Sequence, residues 1–158
     1  MEALARRRDA ILERWFERTV QSYPGETSLF LRNDKDPFRN PVGHTLREGL
    51  AILLDEVLGK MEVSRIHAAL EAIVRLRAVE DFTPGQALAF VFQLKRVARQ
   101  EAAGGELELF DSRVDEMALL AFDLYMKCRE KLYEIKADEA RRRVYLLERA
   151  SLKRGDRP

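Results

Sequence analysis

One cysteine, two histidines and one tryptophan are all that this 158-residue chain holds of those residue types. The lone Cys128 closes no internal disulfide, and no Cys/His cluster has zinc-ligand spacing, so neither kind of staple is expected. No apolar run approaches the roughly 18 residues that a membrane-spanning helix requires. Met1 to Arg8 is charged, and the apolar residues that follow are interrupted by Glu13, Arg14, Glu17 and Arg18, which does not read as a secretory signal. The cytoplasm is the expected compartment. Also missing are a glycine-rich phosphate loop, a GxSxG elbow and an HExxH helix. No residue is therefore assigned a catalytic or metal-binding role, and an enzyme is not expected.

Hydrophobic residues make up 46% of the chain and charged residues 35%, a globular composition far from that of disordered sequences. The length suits one helical domain over residues 1–150, followed by a basic tail, 151–158, expected to be disordered. Net charge is only +1 but unevenly placed. Between Arg141 and Arg157 seven basic residues outnumber two acidic ones, Glu148 and Asp156, for a local +5. Such a tail could meet an acidic partner or nucleic acid. Without interleaved aromatics or a groove-reading motif, nucleic acid is the weaker reading. The plainer one is a solvated helix end with cations at the negative pole of its dipole.

Helical periodicity dominates, and the pattern predicts an all-α bundle of about five main helices with a long C-terminal one. The first runs from about Glu2 to Ser22 and ends at Pro24-Gly25; residues Glu26 to Arg39 read as an irregular connection. Asn40 suits an N-cap and Pro41 the first position of a second helix, whose apolar face is Leu46, Leu50, Leu53, Leu54, Val57 and Leu58, with Gly59 as terminator. Ser64 is a candidate cap for the third. Thr83-Pro84-Gly85-Gln86 forms a capping box for the fourth, which is apolar almost all round. The last begins near Asp111 and continues to about Ala150. Val114, Met117, Ala121, Leu124 and Cys128 form its stripe, which puts Cys128 among packed residues, although Lys127, Arg129 and Lys131 beside it keep a reactive thiol in view. Forty residues of helix span about 60 Å, against a radius of gyration of about 15 Å for a compact domain of this length. The helix must bend, break or project. Projection leaves Val144, Tyr145, Leu146 and Leu147 in need of a partner, most simply a second copy.

Two polar segments carry the candidate binding residues. Asp34 to Pro41 is a rigid, two-proline loop of mixed charge that contributes Asp36, Phe38, Arg39 and Asn40, with His44 following in the first helical turn, four residues before Glu48. Arg75, Arg77 and Asp81 lie where the third helix runs into the next cap, and Arg77 and Asp81 stand at pairing distance on a helix face. Loop-pinning and surface ion pairs are the bland interpretation. The sharper one has guanidinium forks at a helix junction binding an anion or a partner's carboxylate. His67, at the edge of an apolar stripe, is either a partly exposed packing residue or a heme ligand.

The stretches ILERWFERTVQSYP (11–24), DPFRNPVGHTLREGL (36–50), IVRLRAVEDFTPGQALAFVFQLK (73–95) and ALLAFDLYMKCREKLYEIKADEARRR (118–143) closely resemble the N-terminal domain of RsbRD-type proteins, co-antagonists of the RsbT kinase in bacterial stress signalling. The resemblance covers nearly the whole chain. It implies a globin-like, heme-free input domain, usually dimeric, and supplies no ligand. Full co-antagonists continue into a phosphorylatable output domain, which this sequence, ending at Pro158, does not contain. The expectation is therefore a stand-alone sensory or regulatory domain that acts through ligand or partner binding. It would be a homodimer with a separate signalling or redox partner and no cofactor. Two alternatives stay open: a heme protein using His67, and an adaptor docking on a redox or signalling complex through its basic tail.

Overall fold

The computed structural model describes residues 1–80, 82–101 and 106–155, and every regular element among them is an α-helix. Seven helices follow one another in these residues: α1 (Glu2–Arg6), α2 (Arg8–Val20), α3 (Gly25–Asn33), α4 (Pro41–Leu58), α5 (Val63–Ala78), α6 (Pro84–Glu101) and α7 (Glu106–Gly155). The protein is all-α, as its periodicity predicts.

The first expected helix is two. Arg7, with φ −103° and ψ 8°, interrupts it, and Arg8 then forms a bidentate pair with Asp55 of α4 (Nε to Oδ1 2.6 Å, Nη2 to Oδ2 3.0 Å). The presumed irregular connection contains α3. Pro24 precedes that helix in an extended conformation (ψ 150°), and Leu31 is its only buried side chain. One buried anchor in nine residues writes no periodic stripe, so the pattern method is blind to it. Helix α5 is capped differently from expectation. Ser64 lies inside it, donating from Oγ to Glu62, while the Glu62 amide donates to the buried carboxylate of Glu56 (2.9 Å). The last helix starts at Glu106, five residues before Asp111, and takes in residues 151–155 of the expected disordered tail.

Two starts form as written. The Asn40 side chain accepts from the Gly43 amide at 2.8 Å, and Pro41 stands at the first position of α4. The Thr83 amide donates to Gln86 Oε1 at 2.9 Å, and the Gln86 amide donates to Thr83 Oγ1 at 3.3 Å, closing the capping box.

The chain divides into two compact units, residues 1–125 and 126–158. In the first, α4 packs along α5, and α2 packs against α6 and α4. Trp15, Phe16, Leu46, Leu50, Leu53, Leu54, Ile66, Leu70, Phe90, Leu94 and Phe110 are all but inaccessible to solvent, each contributing roughly 1.5–3 kcal/mol by burial. Trp15 ties α2 to α6: its ring lies nearly parallel to Phe90, 6.4 Å between centroids, and its indole N–H donates to the Phe90 carbonyl at 2.7 Å. Helix α6 is less enclosed than its composition implies, because Phe92 is half exposed. Val114, Met117, Ala121 and Leu124 of α7 are buried as the stripe predicts.

Among the described residues, the second unit is the part of α7 from Met126 to Gly155. Cys128 is half-buried there. Tyr133, Ile135, Val144, Tyr145, Leu146 and Leu147 are exposed, Leu147 to 71%. No helix among the described residues is long and apolar enough to cross a membrane.

Candidate functional site

The loop between α3 and α4 is built from consecutive side chain-to-backbone turns. Asp34 accepts from the Asp36 amide (3.0 Å), Asp36 accepts from the Phe38 amide (2.9 Å), and the Asn40 amide donates to the Asp36 carbonyl (2.8 Å). Short polar side chains favour such turns because they substitute for a backbone acceptor. The result holds Phe38 at the tip, 96% exposed. Arg39 Nε reaches Asp34 at 3.3 Å.

Asn40 faces inward and is 2% exposed. Its amide group donates to the carbonyls of Leu31 (3.0 Å) and Asp34 (2.8 Å) while its oxygen caps α4. One side chain therefore closes the end of α3 and opens α4. A Cβ added at Gly43 would lie 2.3 Å from Asn40 Nδ2, so this close approach requires glycine.

A cleft of about 210 Å³ opens beside this loop, between α2, α3 and the first turns of α4. Phe16 and Leu31 supply apolar lining, and Arg32, Asp34, Lys35, His44 and Arg47 supply charge and polarity. The Arg47 guanidinium lies 4.0 Å above the Phe16 ring and pairs with Glu13. Arg32 faces Glu17 at 3.5 Å, and His44 Nε2 faces Glu48 at 3.3 Å, both pairs half exposed. Lys35 has no ion-pair partner among the described residues.

The second segment does not join this cluster. Arg75 is exposed and pairs with Glu71 one turn back at 2.6 Å. Arg77 is 1% exposed at the junction of α5, α6 and the end of α2. Its Nε donates to the Ala87 carbonyl (2.7 Å), and its Nη2 donates to the Gln86 carbonyl (2.9 Å) and to Ser22 Oγ (3.0 Å). Phe82, Tyr23 and Phe90 surround the guanidinium at 4.5, 5.3 and 5.8 Å. Nη1 and the Tyr23 hydroxyl are buried without a hydrogen-bond partner. Burial pushes the Arg77 pKa down and that of Tyr23 up, in the latter case against the attraction of the Arg77 charge. Asp81, the expected partner of Arg77, lies outside the described residues.

His67 is exposed on α5 and is not among the residues that line the groove between α4 and α5. Among the described residues, no group of three or more His, Cys, Asp or Glu is arranged to hold a metal. Sequence reasoning missed Phe16, Arg32 and Arg47 as cleft residues and Tyr23 and Phe82 as neighbours of Arg77. Phe16, Arg32 and Tyr23 belong to other helices or connections than the motifs they complete, so spacing along the chain carries no sign of them. Arg47, by contrast, lies three residues after His44 on α4, and Phe82 directly follows Asp81 in sequence.

These features define an all-α domain with a capped helix junction and a charged cleft on one side. Over residues 9–141 the sequence matches the RsbT co-antagonist protein rsbRD N-terminal domain, and the chain belongs to that family. The domain is thus a regulatory one of signalling proteins. A protein of Archaeoglobus fulgidus, described as uncharacterized, is 26% identical over 138 residues, 84% of this chain and 83% of that one. No solved structure matches the chain.

Proposed function

We propose that this chain is a non-catalytic signal-input domain that works as a homodimer and passes a ligand- or partner-binding event to a separate protein. The observation that carries the reading is the make-up of α7. The same helix contributes Phe110, Val114, Met117 and Ala121 to the buried interior of the first unit and then presents Val144, Tyr145, Leu146 and Leu147 to solvent in the second. Consecutive exposed apolar residues on a helix are costly in isolation and stabilising in an interface. A helix anchored in a packed interior at one end and paired at the other is a means of coupling binding to a dimer. The family's place in signalling supports the same reading.

Light scattering coupled to size-exclusion chromatography tests it. At tens of micromolar the chain should elute as a dimer of the 18.3 kDa protomer, and Leu146→Glu with Leu147→Glu should give a folded monomer. A strict monomer at that concentration, or a dimer indifferent to both charges, refutes the coupling.

A further inference from the structure

We infer that residues 126–147 of α7 form a parallel, in-register, two-stranded coiled coil with the same segment of a second copy. The inference rests on the homodimer reading and adds the seam and the orientation of the pair. Spacing carries the first part. Met126, Tyr133, Ala140 and Leu147 recur every seven residues, and Glu130, Ala137 and Val144 fall between them at alternating steps of four and three. These are the d and a positions of a heptad repeat, unbroken over about 30 Å of helix. Six of the seven positions are apolar and all seven are exposed, Met126 to 40% and Leu147 to 71%. Val144 at a followed by Leu147 at d is a combination that favours two strands. Ala137 and Ala140 let two helices approach closely, and Glu130, the one polar seam residue, fixes register at a cost in stability. Tyr145 and Leu146 fall outside the seam.

Charge decides the orientation. The g positions that flank the seam on one side are Arg129, Lys136 and Arg143, all basic. On the other side the e positions Glu134, Arg141 and Glu148 alternate in sign. In an antiparallel pair g residues face g residues, so cations meet cations in every register. In a parallel pair each g residue faces the e residue five positions further on in the other copy. Arg129 then meets Glu134 of the second copy and Arg143 meets Glu148, each contact made twice by the two-fold symmetry. Lys136 against Arg141 is the one repulsive pair. Arg141 already faces Asp138 of its own helix at 3.6 Å, which offsets that repulsion.

The test is disulfide trapping in the full chain. Cys128→Ser removes the only cysteine, and Met126→Cys, Val144→Cys or Arg142→Cys then places one on the seam or, in the last case, on the outward face. Under mild oxidation Met126→Cys and Val144→Cys should each run as a covalent dimer on a non-reducing gel, and Arg142→Cys should stay a monomer. An antiparallel seam would hold the two copies of either seam position more than about 20 Å apart along the axis, far beyond disulfide reach. Glu134→Lys with Glu148→Lys should weaken the dimer about tenfold, and adding Arg129→Glu with Arg143→Glu should restore it. Three results overturn the inference and leave the homodimer reading standing: a dimer by light scattering whose Val144→Cys form stays reduced, trapping as efficient at Arg142→Cys as at Val144→Cys, or glutamate-to-lysine changes that leave the dimer as tight as the parent. A strict monomer overturns both.

Discussion

Replacing Arg77 separates a structural node from a binding residue. Its guanidinium makes three hydrogen bonds, two to carbonyls of the first turns of α6 and one to Ser22 beyond the end of α2, and it lies among three aromatic rings. Against this stands the burial of a charge whose Nη1 is unpartnered. Hydrogen bonds to a charged group contribute about 1.5–3 kcal/mol each when considered alone, but desolvation offsets much of that sum. Arg77→Ala removes the bonds and leaves a cavity, for a loss of about 3–5 kcal/mol. Arg77→Met keeps most of the stem's volume and abolishes the buried charge, so it should cost about 1–2 kcal/mol. Arg77→Lys keeps the charge without the fork and should fall nearer to alanine. Urea unfolding followed by far-ultraviolet circular dichroism reads all three. Alanine within about 1 kcal/mol of the parent, or methionine worse than alanine, refutes the assignment of Arg77 as the staple of the α2–α5–α6 junction.

Two further perturbations follow from the same geometry. Asn40→Ala should cost about 2–3 kcal/mol, since it removes a helix cap and the donor to the carbonyls of Leu31 at the end of α3 and of Asp34 beyond it; Asn40→Asp should be no better despite its equal merit as a cap, because a carboxylate cannot donate to Leu31 and Asp34. Thermal unfolding would show each as a fall of about 5–10 °C, and a near-native Asn40→Asp would disprove the double role. Tyr23→Phe removes a buried, unpartnered hydroxyl and should be neutral or stabilising by up to about 1 kcal/mol. Burial, the main cause, raises the Tyr23 pKa in the folded protein above its ordinary value of 10.0. Stability from keeping the phenol protonated is therefore fully present below pH 10 and lost as pH rises through the folded value. Denaturant titrations on either side of pH 10 should show a shallower alkaline loss in Tyr23→Phe than in the parent, and equal slopes contradict the burial.

What could be read from the linear chain follows the range of the forces involved. The capping box at Thr83 and Gln86, the Asn40-Pro41 start and the apolar faces of α4 and α7 are local, set by residues within a turn or two of each other, and they form as their spacing predicts. Helix α3 escaped because it buries Leu31 alone, and the pairing of Arg8 with Asp55 could not be read because the two are 47 positions apart. The candidate residues divided in the same way. Both polar segments could be named from composition, but each divided between surface and interior: Phe38, Arg39 and Arg75 stayed exposed, whereas Asn40 and Arg77 are buried. Helical repeat and capping, which act over three or four residues, settled that this protein is all-α. Which charges face solvent, which form a cleft and which hold two helices together depended on groups brought together from distant positions, because burial and ion pairing are decided by neighbours in space.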